Sequence, residues 1–438
     1  MLSLQLLLVT VLSTFATRTY AQLSGRVGPT TTRDSKRSTI CNVLNYKGVA
    51  NKTADIGPAI QSAFAACKNG GTVYVPPGDY GMSTWVSLSG GQNWAFQLDG
   101  IIYRTGSQSG NMIYIEKSKN FEFYSSTSKG AVQGYGYETH KDDVAGKYGA
   151  RIMRFTQVQD FSIHDIALVD APQFHLTLDR CMNGEAYNMV IRGGNEGGLD
   201  GIDVSGSNMW IHDIEVSNRD ECITIKNASR DMLIEQIYCN YLGLDIDISH
   251  ITYDKIYTVN SNQMFMIKSN GGNGTVRDCT FSNFIGHKNA YTLNIDAHWT
   301  QLKLQPGNGV LYQDLNFTNW KGSCSDGSRR APINVICPDA QPCHGITISD
   351  FAVWTESGSR EFYKCSSSFG SGGCLRGGQA YSSYAVSTVT VTATPAGWSA
   401  PTMAADLTDL PLTTSINIPT IGTSFFPGAT PYSKLLGS

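Results

Sequence analysis

The stretch SNRDECITIKNASRD, residues 217–231, sets two acids side by side, Asp220 and Glu221, at the mouth of a short β-type run. A third acid, Asp200 in GGLDGIDVSG, stands 20 residues earlier, at the corresponding place before the preceding run. Neighbouring carboxylates shift each other's pKa, so that one keeps its proton while another stays ionised. One protonated acid and one ionised base are the equipment for breaking a glycosidic bond. Acids beside turns also serve as caps, and a carboxylate cluster also suits calcium in an eliminating lyase. Hydrolysis requires that the fold bring all three to one face.

A repeat supplies that fold. FSIHDIALVD (161–170) returns as MWIHDIEVSN (209–218), with weaker echoes in AYNMVIRGG, MLIEQIYCN, ITYDKIYTVN and TVRDCTFSN. The second apolar position of each gives the anchors Ile166, Met189, Ile214, Ile237, Ile256 and Cys279, at steps of 23, 25, 23, 19 and 23 residues. A second alternating run lies between echoes: FHLTLD, GIDVSG, ECITIK, MFMIKS, YTLNID. Units of this length, with short strands and no helix, stack as a solenoid. The expected fold class is all-β, a right-handed parallel β-helix. An antiparallel sandwich is the rival, but it does not require one unit to recur at near-constant spacing. Equivalent positions of stacked coils lie about 4.8 Å apart, which gathers Asp200, Asp220 and Glu221. In TADIGPAIQSAFAAC (53–67), Ile56, Ile60 and Phe64 share one helical face behind Asp55 as a cap. This predicts a short helix that covers the open first coil.

Residues 1–21 read as a secretory signal, 22–380 as the β-helix and 381–438 as a Ser/Thr/Pro-rich extension. That extension either stays poorly packed or straps along the barrel. Charged residues are only 16% and glycines number 45, which suits a turn-rich secreted protein. A net charge of −3 gives no reason to expect nucleic acid or an anionic membrane as partner. Eleven cysteines in an exported chain imply disulfides with one thiol left over. The close pairs are Cys41 with Cys67, Cys222 with Cys239, Cys337 with Cys343 and Cys365 with Cys374. No CxxC pair argues for zinc, and neither metal nor cofactor is expected. Sequons at Asn51, Asn227, Asn273 and Asn316 fit a glycosylated protein, expected to work as a monomer.

Asp200 followed by Asp220-Glu221-Cys222 on a β-helix resembles the glycoside hydrolase family of polygalacturonases and rhamnogalacturonases. Their motifs on successive coils read Asn-Thr-Asp, Asp-Asp, Gly-His-Gly and Arg-Ile-Lys. The resemblance runs from about Cys41 to about Cys374. Glu221 in place of a second Asp, and MFMIKSNGG with Met266 where a polygalacturonase has Arg, point to the rhamnogalacturonase branch. The resemblance implies a proton donor at Asp220, water-activating acids at Asp200 and Glu221, and inversion of configuration. It also implies a uronate-binding Lys268, a substrate-stacking Tyr291 and a pectic polysaccharide, rhamnogalacturonan, as substrate. Polygalacturonase activity on homogalacturonan is the alternative.

No Gly-His-Gly stands between Glu221 and Lys268. CNYLGLDIDISHITYD (239–254) fills that coil, and there the repeat shrinks to 19 residues. The short coil leaves open a further alternative, a pectin-binding β-helix without catalysis. His287 in IGHKNAY is taken as a substitute catalytic histidine, against an ordinary surface role.

Overall fold

The computed structural model describes residues 23–438, apart from 142–148, 241, 328–329, 357 and 359. The expected signal segment lies outside the described residues.

The strands Gln159–Val169, Leu176–Arg192, Ile202–Ser217, Ile223–Cys239, Ile248–Val259, Gly271–Asn289, Gln305–Cys324 and Cys343–Thr355 stack in that order. Each is parallel to the next. Shorter strands form a further parallel stack: Leu242–Leu244, Gln263–Lys268, Tyr291–Asp296, Ile333–Ile336 and Glu361–Ser366. Successive parallel strands of one sheet are joined in the right-handed sense, and the whole is a right-handed parallel β-helix.

The bends are written into the sequence. Asp165, Asn188, Asp213, Gln236, Lys255 and Asn283 all take positive φ, a conformation that Asn and Asp tolerate better than bulky residues. Each is followed by an apolar residue that enters the core. Ile166, Met189, Ile214, Ile237 and Ile256 stack in register, as the spacing predicts. The next residue in that column is Phe284, not Cys279. Cys279 follows Asp278 at a second left-handed corner and pairs with Leu315 instead. Two corners of one coil thus carry the same signature, a left-handed Asp or Asn followed by an apolar residue, and the sequence pattern alone took one for the other. Aromatic rings fill the later coils, with Phe284 stacked on Trp320 at 4.2 Å and Phe281 on Phe317 at 4.7 Å.

Both ends are covered. The helix Gly57–Cys67 buries Ile60 and Phe64 over the first coil, with Phe64 edge-on to Trp94 at 4.8 Å. Asp55 accepts the Gly57 N–H at 3.1 Å and the Ser83 N–H at 3.1 Å, tying the helix start to the coil below. At the far end Ser387–Val391 lies antiparallel across Glu361–Ser366 and closes that edge. Disulfides join Cys41 to Cys67, Cys337 to Cys343 and Cys365 to Cys374. The expected Cys222–Cys239 bridge is not among them. Both side chains are buried, and the Cys222 sulfur accepts the Asn240 N–H at 3.1 Å, turned toward the corner that follows Cys239.

The short coil closes. Leu242–Leu244 pairs with Ile223–Ile225 on one side and with Met266 and Ile267 on the other. The shortening falls on the turn into the strand. Five residues separate Ser217 from Ile223 on the coil before, whereas two separate Cys239 from Leu242.

The last residues run back along the barrel. Ile416, Ile421 and Phe425 bury themselves against Val169 and Val190. The final stretch then meets successive corners in order. Thr430 O accepts from Gln236, Ser433 N–H donates to Asp213, Lys434 O accepts from Asn188, and Leu436 N–H donates to Asp165.

Ile214 is fully buried between Met189 and Ile237. Ile214→Ala is expected to cost about 2–5 kcal/mol of stability, measured as a lower urea midpoint at unchanged slope.

Candidate active site

Asp220 and Glu221 sit in the connection between Ser217 and Ile223, not within a strand, so the alternation of strand side chains does not separate them. Asp200 lies directly below, on the preceding coil, where Gly201 N–H donates to Glu221 O at 2.7 Å. One carboxylate oxygen from each of the three lies within 4.8 Å of the others. Asp220 faces the cleft and is fixed by N–H groups of Gly198 at 2.5 Å and Glu221 at 2.8 Å. Asp200 and Glu221 are buried behind it.

Two lysines compensate this charge. Lys226 Nζ lies 2.6 Å from Glu221 Oε2, 3.1 Å from Asp203 and 3.8 Å from Asp200. Lys268 pairs with the other oxygen of Glu221. Burial alone would raise Glu221, but the two ammonium groups overcome it and bring the carboxyl down to about 2. Asp200 goes the other way. Burial, and after it the charges of Asp203, Asp220 and Glu221, push it up to about 9. Its proton bonds to Asp203, itself raised by burial. Three carboxylates this close also have the geometry of a cation site; here the ammonium groups already stand in the charge-compensating positions.

Beneath Asp200, the fully buried His175 holds the turn. Its Nδ1–H donates to Asp200 O at 3.0 Å, while Nε2 accepts the Ala171 N–H at 3.3 Å. Burial brings the ring down to about 4, so it stays neutral. Lys226, Asp203 and His175 escaped the sequence reading although CITIK, GIDVSG and FHLTLD carried them. Their signal was the polar residue inside an otherwise apolar run.

The cleft is about 600 Å³, and its walls carry Arg219, Lys268, Lys288 and Arg330 together with Asp220, Asp326 and Asp409. Met266 and Trp299 supply apolar surface. Tyr291 does not line the cleft, but Arg330, which does, holds its guanidinium 5.2 Å above the Tyr291 ring. His287 is not brought to the trio. It lies under the C-terminal strap, with Nε2 2.9 Å from Pro401 O and its ring against Tyr257. The chain bends at Lys288, which takes positive φ, so Lys288 enters the cleft while His287 stays under the strap. The sequon residues Asn51, Asn227, Asn273 and Asn316 are all exposed.

The two perturbed acids give opposite stability signatures. Asp200 is raised, so the folded state holds a proton that the unfolded chain loses, and stability falls as pH rises from about 4 to about 9. Asp200→Asn is expected to remove that slope and add on the order of 2 kcal/mol at pH 7. Glu221 is depressed, so its contribution is present above about 4.5 and lost as pH falls toward 2. Glu221→Gln is expected to cost on the order of 3 kcal/mol at pH 7. Urea unfolding of both variants at acidic and neutral pH checks the pair.

Residues 82–370 match the profile of Glycosyl hydrolases family 28. The chain is 56% identical over 426 residues to rhamnogalacturonase A of Aspergillus aculeatus, covering 95% of this chain and 96% of that protein. It is 55% identical over 428 residues to a probable rhamnogalacturonase B of Aspergillus terreus, covering 95% of this chain and 81% of the relative. Among solved structures, an endo-xylogalacturonan hydrolase from Aspergillus tubingensis superposes with a TM-score of 0.59 at 20% identity, over 73% of this chain and 94% of that one. A polygalacturonase from Erwinia carotovora gives 0.56 at 16% identity, over 80% of this chain and all of that one. These two share the fold. With a profile match over most of the solenoid and relatives more than half identical along nearly the whole chain, the protein belongs to glycosyl hydrolases family 28.

Proposed function

We propose that this glycoside hydrolase is a secreted, monomeric endo-enzyme that cuts galacturonic acid–rhamnose bonds in the rhamnogalacturonan backbone of pectin. The observation that carries the reading is the trio of acids at a cleft walled by Arg219, Lys268, Lys288 and Arg330. Cationic walls suit a chain with a carboxylate on alternate sugars, and the acids suit cleavage of its glycosidic bond. The names of the relatives support the same substrate. Met266, at the cleft where a polygalacturonase has Arg, weighs against homogalacturonan.

In this reading Asp220, the acid that faces the cleft, protonates the leaving oxygen. Asp200 and Glu221 hold the attacking water, and Glu221, the ionised one of the two, takes its proton. Lys268 receives the uronate carboxylate and Tyr291 stacks on a sugar. The short coil closes without parting the three acids, which supports catalysis over binding alone. Inversion rests on the family resemblance. The close spacing of the oxygens would by itself suit retention, since inverting pairs stand about 6.5–9.5 Å apart. The anomer first released, read by proton NMR, distinguishes the two.

The test is release of reducing ends from rhamnogalacturonan and from homogalacturonan. Preference for the first is expected; binding with no new ends from either would overturn the reading. Asp220→Asn and Asp200→Asn are each expected to lower kcat by about 100-fold or more while changing KM little. Lys268→Ala is expected chiefly to raise KM. A folded Asp220→Asn enzyme with near-full activity would reduce the acid pair to turn caps.

A further inference from the structure

Glu221 is clamped between two lysines that differ in place. Lys268 lines the cleft and reaches one carboxylate oxygen. Lys226, on the strand that follows Glu221, reaches the other at 2.6 Å from behind and is shared with Asp203 and Asp200. A carboxylate held by two ammonium groups is well placed but a weak base, because both of its oxygens are already neutralised. The water-activating role needs a carboxylate that can accept a proton.

Resting on the reading that a uronate docks at Lys268, we propose that the substrate itself frees the base. The galacturonate carboxylate draws Lys268 away from Glu221, and Lys226 alone then keeps Glu221 in position. The unclamped oxygen takes a proton from water as the water oxygen bonds to the anomeric carbon. The glycosidic C–O bond breaks, and its oxygen takes the proton of Asp220. Lys226 is therefore a positioning residue, and Lys268 restrains the base until an acidic sugar arrives.

The groups that face Glu221 are few. Asp200 and Asp203 lie on the coil before and Asp220 beside it, Lys226 stands on its own coil, and Asp245 and Lys268 on the two coils after. Tyr253 lies in the core below, kept un-ionised by burial. Of these, Lys268 stands in the cleft with its partner on Glu221, where a bound anion competes for it directly.

The experiment compares pH profiles of the full chain on rhamnogalacturonan and on the same polymer with its carboxyls reduced to alcohols. In the wild type the acid limb of kcat is expected about 1 pH unit or more above that of kcat/KM, because Lys268 leaves Glu221 only in the complex. In Lys268→Met the two limbs are expected to coincide at the higher position. The reduced polymer is expected to show kcat lower by about 100-fold with wild type, since nothing displaces Lys268. Lys268→Met is expected to recover part of that loss on the reduced polymer. Lys226→Met is expected to lower kcat on the order of 100-fold with little change in KM, and Lys226→Arg to restore most of it. Should Lys226→Met fail to fold, the wild-type and Lys268→Met profiles decide. Coincident wild-type limbs, or a reduced polymer cut at the native kcat, would overturn the proposal. Failure of the wild type to cut rhamnogalacturonan at all would instead overturn the substrate assignment on which it rests.

Discussion

A parallel β-helix depends on making every coil turn at the same places. The chain does this with single left-handed residues, Asp165, Asn188, Asp213, Gln236, Lys255 and Asn283, stacked one above another. Because the side chain after each corner enters the core, the corner column fixes the register of the apolar column beside it. Register in turn decides which loops lie above one another. Asp200 meets Asp220 and Glu221 because Ile202 lies on Ile223, and that pairing follows from corners on the far side of the coil.

A rigid stack of this kind can hold like charges at distances that a flexible loop would not tolerate. Asp200, Asp203 and Glu221 are nearly fully buried, with Lys226 between them. Burial and neighbouring carboxylates leave Asp200 with its proton, while the grip of two lysines keeps Glu221 ionised in the free enzyme. The polarity of the site is set by strand register more than by the identity of any one acid.

Much of this was legible in the sequence, and the reasons for the remainder are physical. The solenoid was readable because the corner-and-anchor signature recurs at a nearly fixed step. The trio was readable because a repeat makes equivalent positions neighbours. Cys279 was misassigned because both corners of its coil use a left-handed polar residue, Asp278 or Asn283, followed by an apolar one. His287 was misassigned because its facing depends on the bend at Lys288, where one step along the chain exchanges strap and cleft. Lys226 and His175 were invisible because a polar residue in an apolar run gains meaning only when its partners, distant in sequence, are stacked beside it.

The returning C-terminal segment changes the kind of object this solenoid is. An array whose units touch only their neighbours can fray from either end, one unit at a time. Here Gln236, Asp213, Asn188 and Asp165 are each bonded to one continuous stretch, residues 430–436. Losing one coil then strains the bonds to several others, so opening becomes collective and the one-dimensional chain acquires the cooperativity of a globular core. The same stretch follows in the chain every coil it joins. The coils can wind as they emerge, but the lock that couples them closes only after residues 430–436 have been made. Asp409, on the same returning chain, adds its part of the cleft wall at that late stage too. Completion of the cleft and locking of the barrel thus depend on the same returning segment.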